Sequence, residues 1–287
     1  MATHKDWFFA LTMFGIGAIL DKEDFKRIAG SPLIVLLGTV AQFTVMPLGA
    51  YVVAKLFNLQ PELALGLIVA GTAPGAMASN VMCYIAGADT AYSVSLTTVS
   101  TLLTPIMIPG LTYLLANSII HVPFMSMFFD VIYTVILPLI TGFWLRHVFD
   151  KRMTKIIKIF PAVSATFIIF ICSLVIAINK SYLSMITGIV FGAVITLNVS
   201  GLTAGFLIGH LFGLSTRRKR TLSIEIGMQN AGLGTILVLN NFGERSAIPT
   251  AAFVFVCIIT ASILSEIWRR YDLIRAIRPD ADTTTSQ

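Results

Sequence analysis

The chain has 287 residues, of which 56% are hydrophobic and 12% are charged, with a mean hydropathy of +0.86 and a formal net charge of +6. A soluble globular domain usually carries about 25% charged residues, so the composition excludes that class of protein. It also excludes a disordered chain and a disulfide-framed secreted domain, because the sequence is strongly apolar and contains only three cysteines. We therefore predict an integral membrane protein.

Runs without Asp, Glu, Lys or Arg divide the chain into segments that can cross a bilayer. A spanning helix needs about 20 apolar residues, and these runs lack the alternation of barrel strands. The shortest run, residues 7–20, lacks the basic start and the cleavage site of a signal peptide and is interpreted as a span. The nine predicted spans are approximately 5–20, 32–57, 62–87, 90–116, 123–147, 160–179, 182–212, 221–242 and 247–268.

The distribution of Lys and Arg predicts how the chain is oriented. Basic residues in short loops stay on the cytoplasmic side of a membrane. An outside amino terminus puts 16 of the 20 basic residues in cytoplasmic loops and the carboxyl terminus in the cytoplasm. We expect a multi-pass protein of the cell (inner) membrane, whose net charge reflects topology and contact with membrane lipid rather than nucleic acid.

Cysteine and histidine usage gives no support for an enzyme. Cys83, Cys172 and Cys257 occur singly in apolar spans and are interpreted as packing residues, and the four histidines lie near span ends. The sequence has neither a nucleophile–base arrangement nor metal-ligand spacing. We expect no enzymatic activity, no nucleic-acid partner and no obligate protein partner.

The first polar segment within an apolar span is Gly71-Thr-Ala-Pro-Gly-Ala-Met-Ala-Ser-Asn80. Pro74 removes a backbone donor and Gly75 frees the backbone, while Ser79 and Asn80 supply side-chain oxygens. The segment is either a proline kink packed against a neighbouring helix or a point where the helix opens.

The second segment is the hydroxyl-rich start of the fourth predicted span. Eight Ser and Thr residues fall within residues 90–104. Ser93, Thr97, Thr101 and Thr104 share one helical face. Such a face either permits close helix packing or offers hard oxygen ligands to a cation.

The third segment is Glu225-Ile-Gly-Met-Gln-Asn-Ala-Gly232. Glu225 and Gln229 lie at i and i+4 and share a helical face, and glycines on both sides of Asn230 permit the helix to open. Either Glu225 is an interfacial acid that the basic loop ending at Arg220 neutralises, or it is a carboxylate inside the bundle that needs a mobile cation.

The first and third segments are related by topology. Asn80 and Asn230 are 150 residues apart, and each lies in a Gly-interrupted span. The predicted topology makes these two spans run in opposite directions. Broken helices in corresponding positions of inverted halves indicate the binding site of a transporter.

At these residues the sequence resembles the bile acid:sodium symporter (BASS) family, secondary transporters that carry organic anions with sodium. The resemblance covers nearly the whole chain. It rests on Asp24-Phe-Lys-Arg27, Ala78-Ser-Asn-Val-Met82, residues 93–105 and Glu225-Ile-Gly-Met-Gln-Asn230.

The resemblance implies an all-α inverted-repeat transporter with two broken, crossing helices. Its panel domain is expected at approximately 5–20, 123–147 and 160–179, and its core domain at approximately 32–116 and 182–268. Bacterial members usually have ten spans, and this chain is expected to begin at their second.

The resemblance also implies two sodium ions as coupling ions and a small organic anion as substrate. Gln42 is assigned to a sodium site only because of the resemblance. Met77 stands where some relatives carry a hydroxyl residue near the substrate, so their substrate is not carried over. The first sodium is implied at Ser79, Asn80, Ser93, Thr97 and Glu225, the second at Gln42, Glu225, Ile226, Met228 and Gln229, and the anion at Gly75, Met77 and Asn230.

The expected function is sodium-coupled symport, by alternating access, of a bile acid-like, pantoate-like or other carboxylate. Two alternatives remain open. One is a proton-coupled transporter or sodium/proton exchanger of related fold, and the other is a sensor that binds an anion without moving it.

Overall fold

The computed structural model describes residues 2–149 and 159–277, and all regular secondary structure in these ranges is helical. The prediction of an all-helical membrane protein is confirmed. Lys151, Arg152, Lys155, Lys158 and Arg278, which enter the predicted orientation, lie outside the described residues. The helices are α1 (Ala2–Ile19), α2 (Lys22–Gly30), α3 (Pro32–Leu56), α4 (Pro61–Thr72), α5 (Ala78–Ile85), α6 (Thr90–Ala116), α7 (Phe124–Val148), α8 (Phe160–Ile178), α9 (Lys180–Leu211), α10 (Thr216–Gly227), α11 (Ala231–Asn241) and α12 (Ala247–Ile277).

Each of the nine predicted spans is covered by one helix or by two consecutive half-helices. Within the described residues, five helices are long and apolar enough to cross a membrane: α3, α6, α7 and large parts of α9 and α12. Shorter apolar helices occur at Trp7–Ile19, Pro61–Thr72, Ala165–Ile178 and Ala231–Asn241. The number of crossings therefore stays a prediction.

The third and eighth predicted spans are both broken in the middle. After α4 the backbone becomes extended at Ala73, just before Pro74, and after α10 it becomes extended at Met228. The side chain of Asn230 accepts a hydrogen bond from Leu233 N at 3.2 Å and so caps the start of α11. Of the two interpretations of the Pro74 segment, the open helix is correct.

Helix α2 was not among the predicted spans. It is a short amphipathic helix without buried residues. Asp21 and Asp24 form a capping box at its start, and Glu23–Lys26 and Asp24–Arg27 pairs, at 2.5 and 3.2 Å, follow on its surface. A search for long uncharged runs does not detect a charged helix of this length.

Three of the four half-helices, α4, α10 and α11, form the centre of the protein, whereas α5 has only Ser79 and Cys83 buried. Residues 63–72 of α4, 220–227 of α10 and 231–238 of α11 are all buried. Small residues allow the closest approaches. Gly201, Gly205 and Gly209 recur every fourth residue on the side of α9 that packs against α10.

Helices α1 and α7 form a second closely packed pair. Cβ atoms built at Gly17 and Gly142 would overlap the carbonyl oxygens of Leu139 and Phe14. At the end of this pair, the Arg146 guanidinium donates to the carbonyls of Ala18, Ile19 and Leu20, so it caps the carboxyl end of α1.

Gly142→Ala should therefore destabilise the protein. Its methyl would meet the backbone of Phe14 and lie 3.0 Å from Ala18 N, and backbone cannot move aside cheaply. We expect a loss of about 1–3 kcal/mol, measured by thermal or denaturant unfolding in detergent. Gly188→Ala is the control, because in the described part of the chain no atom beyond its chain neighbours and its own helix backbone lies within 4 Å of a Cβ built there. Equal free energies of unfolding for Gly142→Ala and Gly188→Ala would contradict the close packing of α1 against α7.

Candidate functional site

The two breaks meet and pair with each other through the backbone. Gly75 and Gln229 form an isolated antiparallel bridge. Ala76 N donates to Met228 O at 2.9 Å, and Asn230 N donates to Pro74 O at 2.7 Å. Because both helices stop here, their backbone groups lack helical partners, and the pairing supplies partners to two amides and two carbonyls. The carboxyl ends of α4 and α10 and the amino ends of α5 and α11 therefore converge on one point.

Glu225 lies at this point with 2% of its surface exposed. Its Oε1 accepts hydrogen bonds from the Ser79 and Ser93 hydroxyls, and its Oε2 accepts one from Thr97 at 3.0 Å. Ser93 also contacts Asn80 Oδ1 at 2.7 Å. The carboxylate of α10 is thus held by side chains from α5 and α6.

The oxygens around Glu225 outnumber the available hydrogens. Each of the three hydroxyls has one hydrogen but two acceptors within hydrogen-bond distance. Besides Glu225, the Ser79 hydroxyl faces Ala76 O at 2.6 Å, and the Thr97 hydroxyl faces Ser93 O at 3.0 Å. A compact group of buried oxygens with too few hydrogens matches the ligand preference of a hard cation.

Arg220 does not neutralise Glu225. It is buried and forms two contacts with the Asp272 carboxylate, at 2.5 and 2.7 Å, and it donates to Ala86 O at 2.9 Å. No ion pair in the part of the chain that the structure describes includes Glu225. The interpretation of Glu225 as an interfacial acid paired with Arg220 is wrong.

The hydroxyl face of α6 serves two purposes. Ser93 and Thr97 contact Glu225, whereas Thr104 is buried further along the helix and donates to Thr101 O at 2.6 Å. Ligand-type oxygens therefore occupy the first part of the face. Beyond Thr97 the small side chains bond within the helix and permit close packing.

A second polar group lies beside the crossing. The Gln42 amide donates to Gln229 Oε1 at 2.8 Å and lies 3.5 Å from Ala73 O. The Gln229 amide in turn donates to Ile226 O at 2.8 Å. The structure thus brings together Gln42, Gln229 and the backbone of Ile226 and Met228. Gln42 is one buried amide in an apolar helix, so it gave no clustered signal in the sequence.

Gly75, Met77 and Asn230 lie where the half-helices α5 and α11 begin. Gly75 is packed against the carboxylate, because a Cβ there would lie 2.6 Å from Glu225 Oε2. Met77 precedes α5 and Asn230 precedes α11, and both remain partly exposed beside the buried crossing. The amino termini of α5 and α11 converge beside these partly exposed residues, and the positive ends of the two helix dipoles favour an anion there.

An all-helical apolar chain in which two broken helices cross at a buried carboxylate has the architecture of an ion-coupled membrane transporter. The family profile described as "Sodium Bile acid symporter family" matches residues 7–186. The chain belongs to this family, whose members are transporters rather than enzymes.

Individual relatives agree with the family match over most of the chain. The "Uncharacterized sodium-dependent transporter YocS" of Bacillus subtilis is 36% identical over 92% of this chain and 82% of that protein. The "Probable sodium/metabolite cotransporter BASS1, chloroplastic" of Arabidopsis thaliana is 36% identical over 91% of this chain and 65% of that protein. The "Sodium-dependent organic anion transporter" of Rattus norvegicus is 28% identical over 85% of this chain and 66% of that protein.

The packing of Gly75 against Glu225 predicts energetic coupling between the two residues. Gly75→Ala should destabilise the protein by about 1–3 kcal/mol, because its methyl forces the carboxylate or the crossing to shift. In a Glu225→Ala background the same methyl has room, so the cost should shrink. A double-mutant cycle of unfolding free energies in detergent measures the difference.

Gly234→Ala is the matched control for this cycle. It adds a methyl to α11, whose nearest neighbour would be Thr250 Cγ2 at an ordinary 3.4 Å. Gly234→Ala should change the free energy of unfolding only slightly, and by the same amount whether residue 225 is Glu or Ala. Additive effects of Gly75→Ala and Glu225→Ala would contradict the close contact.

Proposed function

We propose that this protein is a symporter that couples the movement of two sodium ions to that of one small organic anion. The observation that carries this proposal is the Glu225 carboxylate, which is buried among oxygens and forms no ion pair in the described chain. A buried charge without compensation costs several kcal/mol. A mobile cation removes that cost each time it binds, which makes the empty site unfavourable and the ion an obligatory partner.

The first sodium ion is assigned to the oxygens on both sides of the Glu225 carboxylate. The three hydroxyls turn their lone pairs toward the ion and donate their hydrogens to the remaining acceptors. Because the ligands come from α5, α6 and α10, the ion fastens both broken helices together. The side chains of this site are Ser79, Asn80, Ser93, Thr97 and Glu225.

The second sodium ion is assigned to the side of the crossing where Gln42 meets Gln229. The two amide oxygens and the carbonyls at the end of α10 are neutral oxygen ligands of the type that hard cations take. The charge again comes from the shared carboxylate. The ligands of this site are Gln42, Glu225, Gln229 and the backbone oxygens of Ile226 and Met228.

The anion is assigned to the amino ends of α5 and α11, near Gly75, Met77 and Asn230. The half-helix dipoles favour negative charge there, and two sodium ions behind the crossing strengthen that preference. The names of the family and of its relatives include bile acid, metabolite and organic anion transport. We therefore propose a carboxylate-bearing organic anion as the substrate class.

Alternating access is proposed to occur between a panel of α1, α7 and α8 and a core of the remaining long and broken helices. The first part of α7 packs against α6 and α11, and Asn241 donates to Asp130 at 2.7 Å across this contact. The last part, Leu137–Val148, packs mainly on α1. With the proposed outside amino terminus, the contact of α7 with α6 and α11 lies toward the outer side of the inner membrane, and we propose that it separates when the site opens to that side.

Sodium should stabilise the protein through Glu225. The purified protein in detergent is melted in sodium chloride and in potassium chloride of equal ionic strength. A ligand at about 100 times its dissociation constant adds about 2.7 kcal/mol, so sodium should raise the melting temperature. Glu225→Gln should lose this increase, because it keeps the size of the side chain and removes its charge.

Glu23→Gln is the control for loss of one carboxylate. Glu23 is exposed on α2 and pairs with Lys26, so this variant should keep the sodium response. No sodium response in the unaltered protein, or a full response in Glu225→Gln, would contradict the proposal.

Accumulation in proteoliposomes separates symport from its alternatives. Carboxylate-bearing anions are screened for uptake driven by an inward sodium gradient, with potassium replacing sodium as the control. Uptake that follows a pH gradient without sodium would favour the proton-coupled alternative. Sodium-dependent binding of an anion without accumulation would favour a sensor.

A further inference from the structure

The end of α10 presents three successive carbonyls, and each has a different partner. Ile226 O accepts from the Gln229 amide, and Met228 O accepts from Ala76 N. The carbonyl between them, Gly227 O, accepts from the Asn198 amide at 2.8 Å. Asn198 belongs to α9 and is absent from both proposed sodium sites, although its partner lies between two proposed sodium ligands.

The orientation of the Asn198 side chain is itself fixed. Asn198 is 0% exposed, and its Oδ1 accepts a hydrogen bond from the Thr260 hydroxyl of α12 at 2.6 Å. Gly227 O can only accept a hydrogen bond, so the Asn198 nitrogen must face Gly227 and the Asn198 oxygen must face Thr260, whose hydroxyl also lies 2.8 Å from Val256 O. Thr260 and Asn198 therefore form a short relay from α12 through α9 to the break in α10.

The peptide group that this relay reaches is held at both ends. The Gly227–Met228 peptide donates through Met228 N to Ile224 O at 2.8 Å and accepts through Gly227 O from Asn198. A Cβ at Gly227 would lie 2.5 Å from Leu202 Cγ, so the position requires glycine, which restrains its own backbone least. Without Asn198 the peptide group could rotate and turn the flanking carbonyls of Ile226 and Met228.

The other break receives an amide in the same way. Gln42 of α3, the helix before the first broken helix, reaches Ala73 O, and Asn198 of α9, the helix before the second, reaches Gly227 O. Both amides are buried, and both approach the last carbonyls of a half-helix that ends in the core. Gln42 is also a proposed sodium ligand, whereas both polar groups of Asn198 already have protein partners.

We propose that Asn198 and Thr260 are positioning residues for the second sodium site. They do not touch the ion. They orient the Gly227 peptide group so that the carbonyls of Ile226 and Met228 point into the site. This inference rests on the proposed sodium-coupled function, and it adds α9 and α12 to the elements that determine sodium affinity.

The test measures sodium affinity separately from stability. Melting temperature is recorded against sodium concentration, with potassium keeping the ionic strength constant, for Asn198→Leu, Thr260→Val and Thr260→Ser. Mutation of a residue that hydrogen-bonds to a metal ligand typically lowers metal affinity by about 10–100-fold. Asn198→Leu and Thr260→Val should therefore shift the half-maximal sodium concentration upward by about tenfold, while Thr260→Ser, which keeps the hydroxyl, should match the unaltered protein.

Ser223→Ala is the control for a purely structural loss. The Ser223 hydroxyl donates to Leu202 O at 2.6 Å, so the variant removes a buried hydrogen bond between the same two helices without touching the break. It should lower the melting temperature in potassium and leave the half-maximal sodium concentration unchanged. If Asn198→Leu fails to fold, the half-maximal sodium concentrations of Thr260→Val and Thr260→Ser are compared instead, and they test the positioning role.

The outcomes distinguish the inference from the function on which it rests. No sodium response in the unaltered protein would overturn the proposed function. The positioning role alone would be overturned if the unaltered protein responded to sodium and the variants were not shifted. In that case Thr260→Val, and Asn198→Leu if it folds, would have the same half-maximal sodium concentration as the unaltered protein.

Discussion

The structure depends on keeping one carboxylate, that of Glu225, at the place where two interrupted helices cross. A buried carboxylate loses its hydration, and the described chain offers it hydroxyls instead of an Arg or Lys. Three neutral donors cannot cancel a full charge, and in the proposed function a cation completes the site. The nearest strong base along the chain, Arg220, is committed to Asp272 and cannot replace that cation.

The interruption of the helices is what makes such a site possible. A continuous helix uses its carbonyls internally and exposes only side chains, whereas a helix that stops in the core offers carbonyl oxygens at one side of the break and amide hydrogens at the other. Here the two breaks satisfy each other through the pairing of Ala76 with Met228 and of Asn230 with Pro74. One crossing can thus provide the proposed ligands for cations and a favourable environment for the proposed anion.

Local features could be predicted from the sequence, and distant pairings could not. The breaks follow from Pro74 and from the glycines around Asn230, which act on their own segment of backbone, and the apolar runs follow from composition. Gln42 meets Gln229 across 187 residues, and Arg220 meets Asp272 across 52, so no local pattern indicates either pair. Asn198 was missed for the same reason, because a single amide in an apolar span resembles a packing residue until its partner is known.

Glycine packing explains which parts of the protein can move together. Backbone contacts through Gly17 and Gly142 join α1 to α7, and the glycine face of α9 joins that helix to α10. Such contacts are short and shape-dependent, so we expect each pair of helices to move as one unit. On that expectation Glu225 moves together with α9, and the hydrogen bonds of Asn198 extend this unit to α12. In the proposed cycle the motion must then occur where larger side chains meet, between the panel helices and the core, and the ion sites must remain intact during it.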